Sequence, residues 1–322
     1  MPVYVDRKGV WHKQEVVQPH PDKNFEDPCH LVKAEKVFLQ DAKKKYEVDF
    51  GFSIIHGTLG EDGSLQGLFR FFDLPYAGSG VLSSALAMDK SYSRKIFQMA
   101  EIPQVKFIKI DHHQWQKESP STLDNVLQNL ELPVFVKPCN MGSSVGVSKV
   151  NNKNELQKAI DHAFEFDYSV LCEAGSKVRE VEISILGNYP DYQTSIIGEI
   201  IVNKDFYSYS AKYLDSEGAS LQIPANLSEE QKKNITSLAV KAFSAIQGAG
   251  FARIDFFIQE KSNTIVLNEI NTLPGFTPIS MFPMLWEKSG VSNSELMAKI
   301  IDLGIQRHSA QKKLSILPDV ER

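Results

Sequence analysis

Residues 250–276 read GFARIDFFIQEKSNTIVLNEINTLPGF. Two apolar runs flank the turn QEKSNT. Polar side chains interrupt both, Arg253 and Asp255 in the first, Glu269 and Asn271 in the second. A charge placed in a core without a partner is costly, so the pattern asks for a reason. In a strand–turn–strand hairpin the two carboxylates and the Asn271 amide can point to one face. A hard divalent cation takes oxygen ligands of this kind, and Mg2+ is typically held by one or two carboxylates together with substrate phosphates. A salt-bridged pair with Arg253 explains the same residues equally well.

The rest of the chain narrows the setting. Its 322 residues allow two or three domains. With 42% hydrophobic and 23% charged residues the composition is that of a globular protein. A net charge of -5 and a pI near 5.9 give nucleic-acid binding no electrostatic support. No apolar run approaches the roughly 20 residues of a membrane helix. The opening MPVYVDRKGVWHKQ has no apolar signal core. Cys29, Cys139 and Cys172 show no metal or CxxC spacing, which predicts inert thiols in a reducing, cytoplasmic setting.

Strand and helix signals alternate. VYVDRKGVW reads as strand and turn, and 14–46 as polar and Pro/Lys-rich, irregular but for one helix-like piece at most. EVDFGFSII (47–55) reads as a buried strand and GSLQGLFRFF (63–72) as a short helix. GVLSSALAMDKSYSRKIFQMAEI (80–102) reads as one long helix. QVKFIKI, PVFVKPC, YSVLCEA and VEISILG read as strands, and NELQKAIDHAFEF and 229–246 as helices. The alternation predicts an α/β (α+β) fold, with a mostly parallel sheet over the first hundred residues.

Several stretches suit chemistry. In FVKPCNMGSSVGVSKV a strand delivers Lys137 to a Gly/Ser-rich turn, where backbone amides and hydroxyls can cradle an anion. The spacing is not that of a P-loop, and a glycine-rich β-turn remains an equal reading. VLCEAGSKVREVEISILG sets Glu173, Arg179, Glu180 and Glu182 around a turn, where solvated surface is the plainer reading. AKYLDSEGA places Lys212 and Tyr213 in a polar, lid-like loop. HGTLGEDGSLQG puts His56 at the end of an apolar run. Ligands gather at strand C-termini in α/β sheets, although a lone histidine is more often structural.

In combination HGTLGEDGSLQG, PYAGSGVLSSALAMDKSYSRK, FVKPCNMGSSVGVSKV, REVEISILGN, SAKYLDSEGA, GFARIDFF and LNEINTLPGFTPISMFP resemble the D-alanine–D-alanine ligases of the ATP-grasp superfamily. The match spans about residues 47–307. The resemblance implies ATP-dependent ligation of two D-alanines through a D-alanyl phosphate, with ATP and two Mg2+ (or Mn2+) ions. It implies that Lys90 and Lys137 bind ATP phosphates, with Glu173 at the adenine or hinge, Glu180 on the ribose and Asn268 in the nucleotide site. Lys212 would reach the γ-phosphate, and Asp255, Glu269 and Asn271 would hold the metals. Arg253 and the Gly275 amide would stabilise the oxyanion. Ser280 and Met281 would bind the second substrate's carboxylate, and His56 would lie near the first substrate. Ser143 and Tyr213 would tie the lid to the site. Tyr213 in the Lys-Tyr pair implies a dipeptide rather than a depsipeptide product; ligation to D-lactate or D-serine is the enzymatic alternative.

The resemblance divides the chain into a truncated N-terminal substrate-binding domain (1–80), a central ATP-grasp subdomain (81–170) and a C-terminal catalytic domain (171–322). It implies a homodimer serving peptidoglycan precursor synthesis, with no nucleic-acid or membrane partner. The family's opening strand, glycine-rich loop and helix, which carry a glutamate for the first D-alanine's ammonium, have no counterpart here. A start assigned too late, a fragment, or a degenerate ATP binder without turnover would each account for that. The completeness of the downstream residues favours the first.

Overall fold

The computed structural model describes residues 1–6, 9–14, 28–202 and 219–314. Five short strands, β1 (Val3–Val5), β2 (Trp11–Lys13), β3 (Pro28–Lys33), β4 (Val37–Gln40) and β5 (Lys45–Glu47), form an antiparallel meander in chain order. Residues 28–47 are therefore strand rather than irregular. Their lysines face solvent while Cys29, Val37 and Leu39 are buried, and this alternation is easily hidden by charge.

The expected strand at 47–55 is absent. Beyond Glu47, which ends β5, a single parallel bridge, Gly51 to Tyr76, is the pairing found in that stretch. The apolar signal is real, because Phe50, Phe52 and Ile55 pack on neighbouring core clusters. Burial there is met without a ladder.

Three helices follow: α1 (Ser64–Phe71), α2 (Val81–Met88) and α3 (Lys90–Met99). The single long helix expected over 80–102 is broken at Asp89, whose backbone is extended (φ -81°, ψ 102°). Its carboxylate accepts from the Ser91 and Tyr92 amides and so starts a new helix. No glycine or proline marks this break.

The central sheet comprises β6 (Phe107–Asp111), β7 (Val134–Pro138), β8 (Ser148–Val150) and β9 (Ser169–Ala174), ordered β6-β9-β7-β8 and antiparallel throughout. Helices α4 (His112–Asn129) and α5 (Lys153–Ala163) cover one face, burying Val126, Leu156 and Ile160 against Val134, Val136 and Cys172. The other face carries Phe135, Lys137 and Glu173, with Phe135 directly opposite Glu173 in the ladder and Lys137 diagonal to it.

The C-terminal sheet comprises β10 (Val178–Asn188), β11 (Asp191–Val202), β12 (Ala219–Gln222), β13 (Gly250–Gln259) and β14 (Ile265–Asn271), ordered β12-β11-β10-β13-β14 and again antiparallel. Hairpins join β10 to β11 and β13 to β14, and a hairpin imposes antiparallel pairing. The mostly parallel sheet expected over the first hundred residues is likewise not found: β1–β5 pair antiparallel there. Helix α6 (Glu229–Ala245), started by a Ser228–Gln231 capping box, packs on the apolar face. Phe243 and Phe256 are fully buried there; truncating either to alanine costs about 3–5 kcal/mol. Helices α7 (Met281–Lys288) and α8 (Asn293–Lys312) close the chain's described part.

Candidate active site

The polar face of the C-terminal sheet answers the opening question. Register sets Arg253 opposite Asn271 and Ser184, and Asp255 opposite Glu269 and Glu182. All these side chains leave the sheet on one side, while Ile254, Phe256 and Ile270 enter the core on the other. A bulge after Asp255 makes Asn268 the extra residue and ends strict alternation.

Arg253 is held as a fork. Its Nε and Nη2 donate to Asp255 Oδ1 and Oδ2, both at 2.8 Å, and Nε lies 3.0 Å from Glu182 Oε2. Burial works against the guanidinium's charge, yet Asp255 and Glu182 raise its pKa well above the ordinary value. Asn271 Nδ2 donates to Asp255 Oδ2 at 3.0 Å, which leaves the amide oxygen as an acceptor.

Lys90, at the start of α3, spans two elements. Its Nζ donates to the Met141 carbonyl at 2.7 Å and lies 4.0 Å from Glu269 Oε2. Met141 belongs to the Gly/Ser loop, where Ser143, Ser144 and Gly146 have positive φ of 53°, 61° and 68°. A Cβ at Gly146 would come within 2.7 Å of Phe166 and Pro138, so glycine is required there. After β14, Ser280 Oγ would lie 2.6 Å from a Cβ at Gly275, and it accepts the Thr277 amide at 3.0 Å. Met281 begins α7 with its side chain buried over Gly198.

On the facing sheet, Glu173 is 3% exposed. Arg94 donates to its Oε1 through Nε (3.1 Å) and more closely through Nη2; Lys137 Nζ takes Oε2 at 2.6 Å. Burial would raise this carboxyl's pKa, but the charges of Arg94 and Lys137 outweigh it and bring the value to about 2. Glu180 lies on β10 opposite Phe257.

The 56–63 loop completes the cleft. His56 Nδ1 pairs with the Leu273 carbonyl at 3.0 Å, so Nδ1 carries the proton. Crowding by the protein lowers its pKa, and Arg253 adds to that. Gly57 approaches the Gly/Ser loop, its Cα 4.0 Å from where a Gly142 Cβ would stand. Glu61 accepts the Gly57 amide at 2.5 Å. Burial pushes its carboxyl up to about 7, with Glu269 adding to the push and the Gly57 bond and Arg253 opposing it.

The structure thus brings together His56, Lys90, Arg253, Asp255, Glu269 and Asn271, with Lys137 and Glu173 on the facing sheet; Gly275 and Ser280 pair with each other in the segment after β14. Lys212 and Tyr213 lie outside the described residues, so the Ser143–Tyr213 pair does as well. Sequence reading gave no role to Arg94, Glu61 or Glu182. Only Glu182 had a signal, since it falls on the polar side of its strand. The buried thiols Cys139 and Cys172, with pKa values pushed up to about 12, suit the expectation of inert cysteines. A groove of about 850 Å3 lined by Gln98, Gln104, Phe107 and Asn125 holds none of the expected residues.

The donor set fits a divalent cation shared with phosphate. Among the described residues no three His, Cys, Asp or Glu groups form a metal cluster. Asp255, Glu269 and the Asn271 amide oxygen supply hard oxygen donors on one face. Mg2+ completes such a set with water and substrate phosphate.

Two sheets enclosing a cleft in this way form the ATP-grasp fold. Solved structures of 0.82 TM-score include the D-alanine–D-alanine ligase of Coxiella burnetii (31% identity, 97% of this chain, 85% of that one). The VanG D-Ala:D-Ser ligase of Enterococcus faecalis matches with the same score (32% identity, 94% and 89% covered). Family models described as D-ala D-ala ligase N-terminus and C-terminus match residues 1–79 and 96–302. The D-alanine–D-alanine ligase of Bacillus pumilus is 42% identical over 97% of this chain and 88% of its own. Ligase A of Salmonella typhimurium is 40% identical over 96% and 87%. The chain belongs to the D-alanine–D-alanine ligase family. Its activity is ligation of D-alanine to D-alanine, and ATP use goes with it.

Proposed function

We infer that the cleft performs this ligation in two steps. The carboxylate of the first D-alanine attacks the γ-phosphorus of ATP, releasing ADP and forming a D-alanyl phosphate. The neutral amine of the second attacks the acyl carbon. The carbon–oxygen bond to phosphate then breaks, the amine loses its proton, and D-alanyl-D-alanine remains.

Lys90 and Lys137 stand for charge neutralisation at the phosphates. Glu180 and Asn268 serve the nucleotide. Glu173 acts through its lysine and its strand, because its carboxylate is already engaged. Asp255, Glu269 and Asn271 would hold two Mg2+ or Mn2+ ions, which supply further neutralisation of phosphoryl charge. Arg253 and the Gly275 amide donate to the tetrahedral oxyanion. His56 faces the first substrate, Ser280 and Met281 the carboxylate of the second. Lys212 would reach the γ-phosphate, and Ser143 with Tyr213 would secure a lid that limits hydrolysis of the acyl phosphate.

The observation that carries this reading is Arg253, clamped at 2.8 Å by Asp255 on the same face as Glu269 and Asn271. A cation held so firmly is preorganised for developing negative charge. Domains at 1–80, 81–170 and 171–322 go with this reading; three separate sheets favour a three-part division, with β9 carrying the central sheet on to Ala174. A homodimer in the cytoplasm, feeding peptidoglycan precursors, completes the proposal. Among the described residues no helix is long and apolar enough to cross a membrane.

Phosphate release from Mg·ATP, with and without D-alanine and with the product weighed by mass spectrometry, tests the chemistry. D-alanine-dependent release with a D-alanyl-D-alanine product is expected. ATP binding without D-alanine-dependent release would overturn turnover by this chain. Sedimentation velocity tests the dimer, and a single monomer boundary at micromolar concentration would remove it.

A further inference from the structure

Arg94 is a buried charge that the reaction above leaves without a role. It sits on α3 one turn after Lys90, on the same side of the helix. It is 3% exposed. Its guanidinium serves two sheets at once. Nε and Nη2 go to Glu173 Oε1 on β9, and Nη1 donates to the Leu267 carbonyl on β14 at 2.8 Å. Leu267 in turn donates its amide to the Pro103 carbonyl at 2.8 Å, just before the bulge at Asn268. The other oxygen of Glu173 takes Lys137 Nζ at 2.6 Å.

We propose that Arg94 is a positioning residue for nucleotide binding, aiming Lys137 through Glu173 and fixing the separation of β9 from β14. The proposal rests on the reading of Lys137 as a phosphate ligand.

Three features favour this over simple charge balance. Lys137 alone would balance Glu173 and would then be neutralised by it. With Arg94 present, the trio keeps one positive charge, and the lysine is the member facing the cleft (side chain 15% exposed, against 3% for Arg94). The arginine also spends a separate donor on Leu267, an acceptor that contributes nothing to neutralising Glu173. A lysine's compact ammonium fixes no spacing between its acceptors, whereas the planar fork holds two of them at a set separation. Finally, the peptide it grips lies beside Asn268 and Glu269, two positions already assigned to nucleotide and metal.

The test is calorimetric titration of Mg·ADP, without D-alanine, into the wild type and three variants: Arg94→Lys, Arg94→Met and Lys137→Met. The double variant Arg94→Met/Lys137→Met closes the cycle. A charge-assisted contact is being removed, so Arg94→Met should weaken ADP binding about tenfold or more. The KM for ATP should rise more than kcat falls. In the Lys137→Met background the same change should have less than about a twofold effect. Arg94→Lys keeps the charge that Glu173 needs, so it carries the test if Arg94→Met does not fold; its ADP binding should fall between wild type and Arg94→Met. Wild-type ADP affinity in either Arg94 variant, or losses that multiply in the double variant, would overturn the proposal and leave Arg94 a folding residue. Unchanged ADP affinity in Lys137→Met would instead remove the lysine's phosphate role, a failure visible without any Arg94 variant.

Discussion

The two walls of the cleft treat acidic groups in opposite ways. On the central sheet Glu173 is matched within the protein, with Arg94 and Lys137 holding both its oxygens. Its pKa ends at about 2 although burial pushes the other way. On the opposite side Glu61, Glu182, Asp255 and Glu269 gather around Arg253 and Lys90. There Glu61 is driven up to about 7. Partners, rather than depth, decide whether a buried carboxylate keeps its charge. The first wall is a finished ion network that fixes a lysine. The second is a crowd of oxygens suited to a ligand that brings positive charge.

That contrast breaks if the two walls respond alike. The largest effect is expected on the second wall. Arg253→Met or Glu269→Gln should lower kcat by about 10²–10³, the scale of losing a preorganised charge at the reacting atoms. Phosphate release at saturating ATP and D-alanine measures it, and wild-type turnover in either variant would remove that residue from the chemistry. On the first wall Glu173→Gln should act on stability first, by about 3–5 kcal/mol, because two buried cations lose their counter-ion. Urea unfolding reads this directly. A stable Glu173→Gln protein would show the network to be dispensable.

Titration sharpens the same comparison, with opposite signs. The folded pKa of Glu173 lies below its ordinary 4.5. Its contribution to stability is therefore complete above pH 4.5 and is lost as the pH falls toward about 2. At about 1.4 kcal/mol per pH unit the loss is up to roughly 3 kcal/mol. Glu61 is raised from 4.5 to about 7, so the folded state holds its proton longer and stability falls as pH rises through that window. The loop is partly open to solvent, which reduces the drop to about 1–2 kcal/mol. Glu61→Gln should remove it: unfolding measured at pH 5 and pH 8, without nucleotide, should differ less in the variant than in the wild type. An equal difference in both would show that Glu61 ionises normally.

Much of the second wall was legible because its signal is local. Arg253, Asp255, Glu269 and Asn271 interrupt apolar runs at a spacing of two, and that spacing alone puts each pair on one face of its strand. The Gly/Ser loop was legible in part: positive φ calls for glycine at 146, while Ser143 and Ser144 take the same left-handed backbone against their ordinary preference. The first wall was not. Glu173 and Arg94 are 79 positions apart, and nothing in SYSRKIF distinguishes a buried arginine from a solvated one. Strand direction failed likewise, since alternation of strand and helix does not say which strands neighbour one another. The single helix expected over 80–102 failed for a subtler reason. Asp89 interrupts it with a side-chain cap, and aspartate is also common on the exposed side of an unbroken helix.

Asp89 links the two walls, and the smallest predicted effect concerns it. The helix it caps carries Lys90 toward Glu269 and Arg94 toward Glu173. Its Oδ1 accepts from the Ser91 and Tyr92 amides at 2.8 and 3.1 Å, and its Oδ2 from Asn140 in the Gly/Ser loop at 3.2 Å. Removing the cap should cost about 1 kcal/mol of stability. Because both cations ride on one helix, Asp89→Ala should weaken Mg·ADP binding and lower kcat together, each by about two- to fivefold, a free-energy change of the same size as the lost cap. Asp89→Asn, which still accepts from the helix amides, should restore most of both. An effect confined to one of the two quantities would mean that the helix does not couple the walls, and that each holds its own cation in place.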